Sequence, residues 1–385
     1  MKSRRACLAI FAATTATTLA NGFYIPVQSP EATGRGNAWL ATADTASAVY
    51  YNAAGLTQLQ NSEVVIGAYG IHLGLEADTP FGDFEANNSW AYVPQIYMAV
   101  PVNENLVAGF GLNTPFGLAT DWGSNTPFQF LADRTELKYL TGWMVLGYKL
   151  TDTFSIGGGF GIHHADAFFT KTPAFATDFS QFEGDDQSLS WTLSARWEPC
   201  AEHAFGIVYR SRTNFDLKGD AETPFGEERA KLDFLTPATA AIGYAWRPNE
   251  KWSFEVNVEW VNWEEMDTLT LEKNTGDQGI PFEWNSNFIY SVGLTRNLEN
   301  GWHVSAGYNY IGNSQPNENF NPGISDANRH WISVGVGRSY GDIEWDFAYQ
   351  YAFSDREVSG SPFGIADGDY ESRFHGLMLN CRWNY

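Results

Sequence analysis

Residues 252–260 read Trp252-Ser253-Phe254-Glu255-Val256-Asn257-Val258-Glu259-Trp260. Apolar and polar side chains alternate without a break. In an extended chain successive side chains point to opposite faces. Trp252, Phe254, Val256, Val258 and Trp260 therefore share one face, and Ser253, Glu255, Asn257 and Glu259 share the other. The run approaches the roughly 9–11 residues that a tilted strand needs to cross a bilayer. A soluble sandwich also alternates. It has no reason to begin and end its apolar faces in Trp or Tyr, whereas a membrane barrel does, because aromatic girdles sit at its two interfaces.

The same theme recurs along the chain from about residue 62. Leu189, Trp191, Leu193, Ala195 and Trp197 alternate with Ser190, Thr192, Ser194 and Arg196. Trp302, Val304, Ala306, Tyr308 and Tyr310 form another apolar face, and Ile343, Trp345, Phe347, Tyr349 and Tyr351 a further one. Between such segments, short and long links alternate. Short links fall at 101–105, 151–152, 198–203, 247–251, 297–301 and 339–342; long ones fall near 74–89, 113–136, 164–187, 218–230, 264–287, 312–329 and 352–372. Tight periplasmic turns and long outer loops wire an outer-membrane barrel in this way. Six turns and seven loops make thirteen connections. The expectation is an all-β fold: a 14-stranded antiparallel transmembrane β-barrel, an even strand number as bacterial single-chain barrels have. Leu377, Leu379, Cys381, Trp383 and Tyr385 alternate to the last residue. The terminal aromatic Tyr385 resembles the signal that barrel-assembly machinery reads, which makes that machinery an expected partner.

The N-terminus carries Lys2, Arg4 and Arg5, then a short apolar stretch from Ala6 to Ala16, then Thr18-Leu19-Ala20. This pattern predicts a signal peptide over residues 1–20, too short to span a bilayer as a helix. Composition agrees with export to a membrane. Apolar residues make up 44% and aromatics 16%, which excludes disorder. A net charge of −22 excludes a basic nucleic-acid surface. No apolar run reaches the length of about 18 residues that a helical span requires. Cys7 leaves with the signal, and Cys200 and Cys381 are expected to stay unpaired. Residues 21–61 do not alternate and are rich in Gly, Ala, Ser and Thr. They either hang in the periplasm or fold back to plug the lumen; residues 62–385 form the barrel.

Four stretches resemble the FadL-type family of outer-membrane transporters for long-chain fatty acids and other hydrophobic compounds. They are Asn21-Gly22-Phe23; residues 34–38 (GRGNA) followed by 44–56 (DTASAVYYNAAGL); residues 113–122 (NTPFGLATDW); and Tyr209-Arg210-Ser211 running on to residues 215–219 (FDLKG). The resemblance covers Gly22 to Tyr385. It implies that residues 21–61 are a hatch plugging the lumen of the barrel. It also implies passive uptake in the outer membrane of a Gram-negative cell. A hydrophobic molecule would be captured among the outer loops, enter a pocket, and leave sideways where the third strand kinks. Lipopolysaccharide blocks direct partitioning of such solutes, which gives the lateral route its physical sense. Two departures stand out. The family's Asn-Pro-Ala in the hatch reads Asn52-Ala53-Ala54, which removes a fixed φ. Asp166 aligns roughly with a basic residue near the outer end of the fifth strand, which favours neutral solutes over a carboxylate.

The loop after the third strand supplies candidate capture and pocket residues: Phe116, Leu118, Trp122, Phe128 and Phe130. Such apolar groups form either a greasy groove or the core of a lid. Phe168, Phe169, Phe175, Phe179 and Phe182 in the next loop have the same two readings. Asn113, Pro115 and Gly117 mark the kink, since Pro lacks the ladder donor and both Pro and Gly favour bulges. Phe23 either wedges into the pocket, as the resemblance implies, or packs the hatch. Asn52 is expected to hold the hatch by hydrogen bonds.

Arg210 and Arg212 are expected to pair with lumen carboxylates such as Glu255 or Glu259, and Glu344, Asp346 and Arg382 to form a structural ladder. The neighbours His163 and His164 face opposite ways and cannot easily chelate one ion. The glycines of 157–161 make room for the hatch. No metal, cofactor or catalytic residue is expected. The partners expected are a hydrophobic small molecule and the outer-membrane lipids with lipopolysaccharide, with the barrel a monomer. The competing readings are a general diffusion porin or structural outer-membrane protein, and, from another class, a lipase, for which the sequence shows no nucleophile motif.

Overall fold

The computed structural model describes residues 22–87, 90–174 and 178–385. The expected signal peptide, Asn21 and Phe175 lie outside the described residues. The chain forms one antiparallel sheet closed on itself. Its strands are β1 (Glu63–Thr79), β2 (Ala91–Pro101), β3 (Leu106–Asn113, resuming at Leu118–Asp121), β4 (Arg134–Thr151) and β5 (Phe154–Thr170). β6 (Gln181–Cys200) is followed by β7 (His203–Arg210 and Thr213–Thr223), β8 (Gly226–Thr236 and Thr239–Asn249) and β9 (Trp252–Val261 and Thr268–Lys273). β10 (Gln278–Pro281 and Asn287–Asn297), β11 (Trp302–Ile311), β12 (Arg329–Tyr340), β13 (Ile343–Val358) and β14 (Gly368–Asn384) complete the ring. β1 pairs with β2 on one side and with β14 on the other, Glu63 lying opposite both Ala99 and Asn384. Fourteen strands and closure agree with the sequence count.

The alternation has the expected consequence. On β9, Glu255, Asn257 and Glu259 are buried in the lumen while Val256 is exposed. Exposed Trp197, Trp246, Trp302, Trp345 and Trp383 ring the short-turn end, and Tyr92, Tyr209, Tyr290 and Tyr308 ring the other. Two of the expected outer loops are mostly strand. β5 and β6 continue to Thr170 and from Gln181, and β7 and β8 meet in a tight turn at residues 224–225. Above the bilayer the outward face no longer needs to be apolar. Glu183, Asp185, Lys218 and Glu222 stand there, so the strands persist while the hydrophobic pattern fades.

Residues 22–61 fill the lumen. Every residue from Gly22 to Thr57 is buried except Asp44. This plug holds two one-turn helices, α1 (Pro30–Thr33) and α2 (Ala48–Tyr51), and a 3-10 turn at Ala53–Gln58. It lies so close to the wall that backbone meets backbone. A Cβ on Gly157 would fall 2.3 Å from the Ala54 nitrogen, and one on Gly307 would fall 2.0 Å from the Arg35 carbonyl carbon. Of the 157–161 run, Gly157 thus makes room for the plug as its composition suggested. Cys200 and Cys381 are both free.

Candidate functional site

β3 stops at Asn113 and resumes at Leu118. Opposite it, the β4 ladder runs from Thr141, paired with Asn113, to Leu137, paired with Leu118. β3 thus takes five steps where β4 takes four. The extra residue is accommodated as a bulge is, by bending out of the sheet. The bend goes inward onto the plug. Ile25 N–H donates to the Pro115 carbonyl at 2.8 Å, Gly117 N–H donates to the Phe23 carbonyl at 2.8 Å, and Tyr24 and Phe116 form an isolated antiparallel bridge. The Gln28 side-chain amide donates to the Thr114 carbonyl at 2.9 Å. Asn113, Pro115 and Gly117 therefore bracket a real break in the strand.

The break leaves β2 half-paired. β2 meets β1 from Ala91 to Ala99 but meets β3 only from Ile96 onward. Residues 91–95 thus have no ladder partner on the β3 side, about 16 Å of strand at the usual rise per residue. Pro94 lies within this stretch, where a residue without an N–H is tolerated. It is a sequence signal of the opening that the reading of β3 alone passed over.

Just inside the break sits an apolar cluster centred on Phe23. Its ring lies 5.9 Å from Phe116, 5.2 Å from Phe234, 5.0 Å from Trp263 and 6.3 Å from Trp284. Leu118 is buried in the same cluster. A cavity of about 20 Å³ lies beside it, lined by Tyr24, Pro115, Phe116, His163, Ser190 and Arg210 among others. Replacing Phe23 by Ala should remove a fully buried ring and cost about 3–5 kcal/mol of plug docking. The check is a lowered denaturation midpoint, read from the fluorescence of Trp263 and Trp284, with Phe23→Leu recovering most of it.

The Asn52-Ala53-Ala54 segment is fixed without proline. Asn52 Nδ2 donates to the Leu40 carbonyl at 2.9 Å, and its Oδ1 accepts from Ala54 N–H at 3.1 Å, capping the 3-10 turn. Ala54 N–H also donates to Ser194 Oγ at 3.1 Å. Deeper in the lumen, Glu255 accepts from the N–H groups of Ala41 and Thr42 at 2.8 and 3.0 Å.

The outer loops divide into two parts. Trp122 and Phe128 are buried in a lid core with Phe320 and Tyr370, and Trp122 Nε1 donates to the Pro322 carbonyl at 3.0 Å. Phe130 is exposed. A separate apolar groove of about 70 Å³ is lined by Leu131, Phe169, Phe179, Leu232, Leu269 and Phe282, with Lys171 at its edge. Lys171 Nζ lies 4.6 Å over the Phe179 ring and 2.7 Å from Asp178, and Lys273 Nζ lies 6.0 Å from the same ring. Burial pushes the Asp178 carboxyl up, but hydrogen bonds from Lys171, Gln278 and the Ala174 N–H outweigh it and hold it below the usual carboxylate range. Asp178 is thus an anion held by the Lys171 ammonium.

Asp166 does not face the pocket. It shares the outward parity of exposed Phe160 and Ile162 and lies opposite Lys138 of β4. On the outer face Asp166 does not disfavour a carboxylate inside the barrel, contrary to the expectation from sequence, and Lys171, one residue beyond β5, is the cation near the groove.

Arg210 lies 3.7 Å from Glu259 and donates to the Tyr50 carbonyl of the plug. Arg212 pairs with Glu265 at 3.4 Å, and Glu255 pairs with Arg35 of the plug at 3.8 Å rather than with either. His163 is buried, with Nε2 2.6 Å from Ser190 Oγ. This Ser–His contact escaped the sequence reading because the two residues meet across β5 and β6. Its Nδ1 faces Tyr139 and Thr141 at 3.0 and 2.9 Å, not the carboxylate that orients a hydrolase histidine.

A closed fourteen-stranded wall, an aromatic belt at each edge, a lumenal plug and a broken strand beside an apolar cluster define a plugged outer-membrane transport barrel. The chain belongs to the family described as outer membrane protein transport protein (OMPP1/FadL/TodX), whose profile matches residues 11–362. The long-chain fatty acid transport protein of Escherichia coli K12 is 21% identical over 407 aligned positions, covering 90% of this chain and 89% of that protein. Among solved structures, a Pseudomonas aeruginosa FadL homologue superposes with a TM-score of 0.85 at 18% identity, covering 94% of this chain and 99% of that one. The toluene transporter TodX of P. putida superposes at 0.76 with 14% identity, covering 92% of this chain and 97% of that one. The chain is an outer-membrane transporter of the plugged-barrel type.

Proposed function

We propose that this protein takes up amphipathic carboxylates of the long-chain fatty acid kind, passively and without catalysis. The observation that carries the reading is the apolar groove edged by Lys171, with Lys273 Nζ 6.0 Å from the ring of its lining residue Phe179. The carbons next to the headgroup lie in the phenylalanine-lined groove while the carboxylate exchanges for Asp178 on the Lys171 ammonium. From there the solute moves to the Phe23 cluster and leaves through the unpaired stretch of β2 into the outer leaflet. Within this reading Phe23, Phe116 and Leu118 line the pocket. Phe130 joins the groove at the surface, and Trp122 and Phe128 stiffen the lid above it. Residues 1–20 are the export signal, 21–61 the hatch and 62–385 the barrel. Tyr385 presents the assembly signal, and the barrel works as a monomer among lipopolysaccharide.

A second reading rests on one contact. Asp178 already lies 2.7 Å from Lys171, so a neutral hydrocarbon could use the same groove with no ionic exchange. A binding series on refolded barrel separates the two, using a long-chain acid, its methyl ester and a small aromatic hydrocarbon, followed by tryptophan fluorescence. The acid is expected to bind about tenfold more tightly than the ester, in line with one charge-assisted contact. Lys171→Met with Lys273→Met should erase that preference. Equal binding of acid and ester by the unaltered protein would overturn the carboxylate reading in favour of hydrocarbon.

A further inference from the structure

A cavity of about 260 Å³ lies at the periplasmic end of the lumen, between the plug and the wall. His303 of β11 and Glu344 and Asp346 of β13 meet there, although β12 runs between their strands. Gly337 of β12 is the ladder partner of both His303 and Asp346. Its missing side chain lets them touch: a Cβ on Gly337 would fall 2.2 Å from Asp346 Oδ1 and 2.3 Å from the His303 ring. His303 Nε2 lies 2.9 Å from Asp346 Oδ1, and His303 Nδ1 lies 3.9 Å from Glu344 Oε1. One ligand atom from each of the three lies within 4.8 Å of the others.

The plug adds a fourth group. Glu31 of α1 lines the same cavity and is only 8% exposed, and among the described residues neither of its carboxylate oxygens has a hydrogen-bond partner. Of the three arginines that line the cavity, one pairs within the cluster and two pair outside it. Arg382 pairs closely with Glu344 and lies 3.7 Å from Glu63. Arg35 pairs with Glu255 and Arg247 with Glu198. Asp44 lines the cavity too and adds to the negative side. Buried carboxylates without a compensating charge are strongly unfavourable. An imidazole among carboxylates is the donor set of a borderline transition metal rather than of Ca²⁺ or Mg²⁺.

We infer that this cavity binds a divalent transition-metal ion of the Zn²⁺ class through His303, Glu344 and Asp346, with Glu31 drawn to the same ion from the plug. The ion would fasten the plug to the wall at the periplasmic end, where α1 packs on β12, β13 and β14. The sequence reading gave Glu344, Asp346 and Arg382 a structural role only, because the imidazole sits two strands away and the fourth carboxylate lies in the plug.

The test uses the whole refolded barrel carrying Cys200→Ser, which removes the exposed Cys200, Glu202 and His203 group as a rival site. Zn²⁺ is added, excess is dialysed away, and retained metal is counted by mass spectrometry. One ion per barrel is expected. His303→Asn and the isosteric Glu31→Gln should each weaken binding at least tenfold, while the heat-resistant migration of the folded barrel in gels is kept. The plug should also become more susceptible to protease when the metal is chelated. Metal at background in the parent barrel would overturn the inference. So would retention equal to the parent in both variants.

Discussion

Deleting Pro115 should close the barrel wall and reduce uptake of hydrophobic solutes to that of cells without the protein. The register dictates the choice. Between the pairs Asn113–Thr141 and Leu118–Leu137, β3 carries one residue more than β4. Without Pro115 the strand reads Asn113-Thr114-Phe116-Gly117-Leu118, four steps against four. Asn113 and Leu118 are both buried, and four steps preserve their common inward parity. The one residue lacking a ladder donor also goes. Residues 91–95 of β2 then gain a partner along their free side. The plug loses the acceptor for Ile25 N–H and, as the strand straightens, the Gly117–Phe23 and Thr114–Gln28 hydrogen bonds, each worth about 1 kcal/mol, while its contacts elsewhere on the wall through Arg35 and Ala54 are untouched. The measurement is uptake of radiolabelled substrate in cells, beside a control showing normal heat-resistant barrel on gels. Undiminished uptake by a properly folded deletion would mean that solute does not leave at β3.

Gly307→Val should turn a nearly silent barrel into a steadily conducting one. A Cβ at Gly307 would lie 2.0 Å from the Arg35 carbonyl carbon and 2.1 Å from the Gly36 nitrogen. Both are backbone atoms, so no rotamer relieves the clash. The segment at Arg35 must move off the wall, and its ion pair with Glu255 breaks with it. The strand itself tolerates the change, since Val is a good strand former and Gly307 sits between Gly293 and Ser333 in the ladder. Planar-bilayer recordings provide the readout. Gly142→Val is the control, because nothing lies within 4 Å of a Cβ there, and it should stay silent. Silence from the Gly307 variant would mean that the plug holds without its contact on β11.

Much of this was legible in the chain because a membrane wall imposes a rigid code. Lipid outside and a plug inside force period-two alternation, so β9, β11 and β13 could be read residue by residue. The code lapses where its cause lapses. Above the bilayer the outward face of β5 to β8 meets water, so the sequence reads as loop where the backbone is strand. Asp166 shows the opposite error. Its parity with Phe160 and Ile162 places it outside, whereas family resemblance aligns it with a residue at the pocket. Trp122 and Phe128 could not be separated from Phe130 by composition, since a lid core and a capture groove draw on the same side chains. His303 and Ser190 meet their partners, and Glu31 its cavity, only through pairing of distant strands and docking of the plug, which no local pattern encodes.

The glycine contacts bear on the order in which the molecule is built. The plug touches the wall through backbone at Gly147, Gly157, Gly206, Gly293, Gly307 and Gly335, residues spread over β4, β5, β7, β10, β11 and β12. An object so closely fitted on several sides cannot be slid into a finished tube. It has to be in place while the sheet is still open, acting as a mandrel around which the strands wrap, with the seam between β1 and β14 sealed last. The N-terminal residues thereby set the bore of the barrel they will later obstruct.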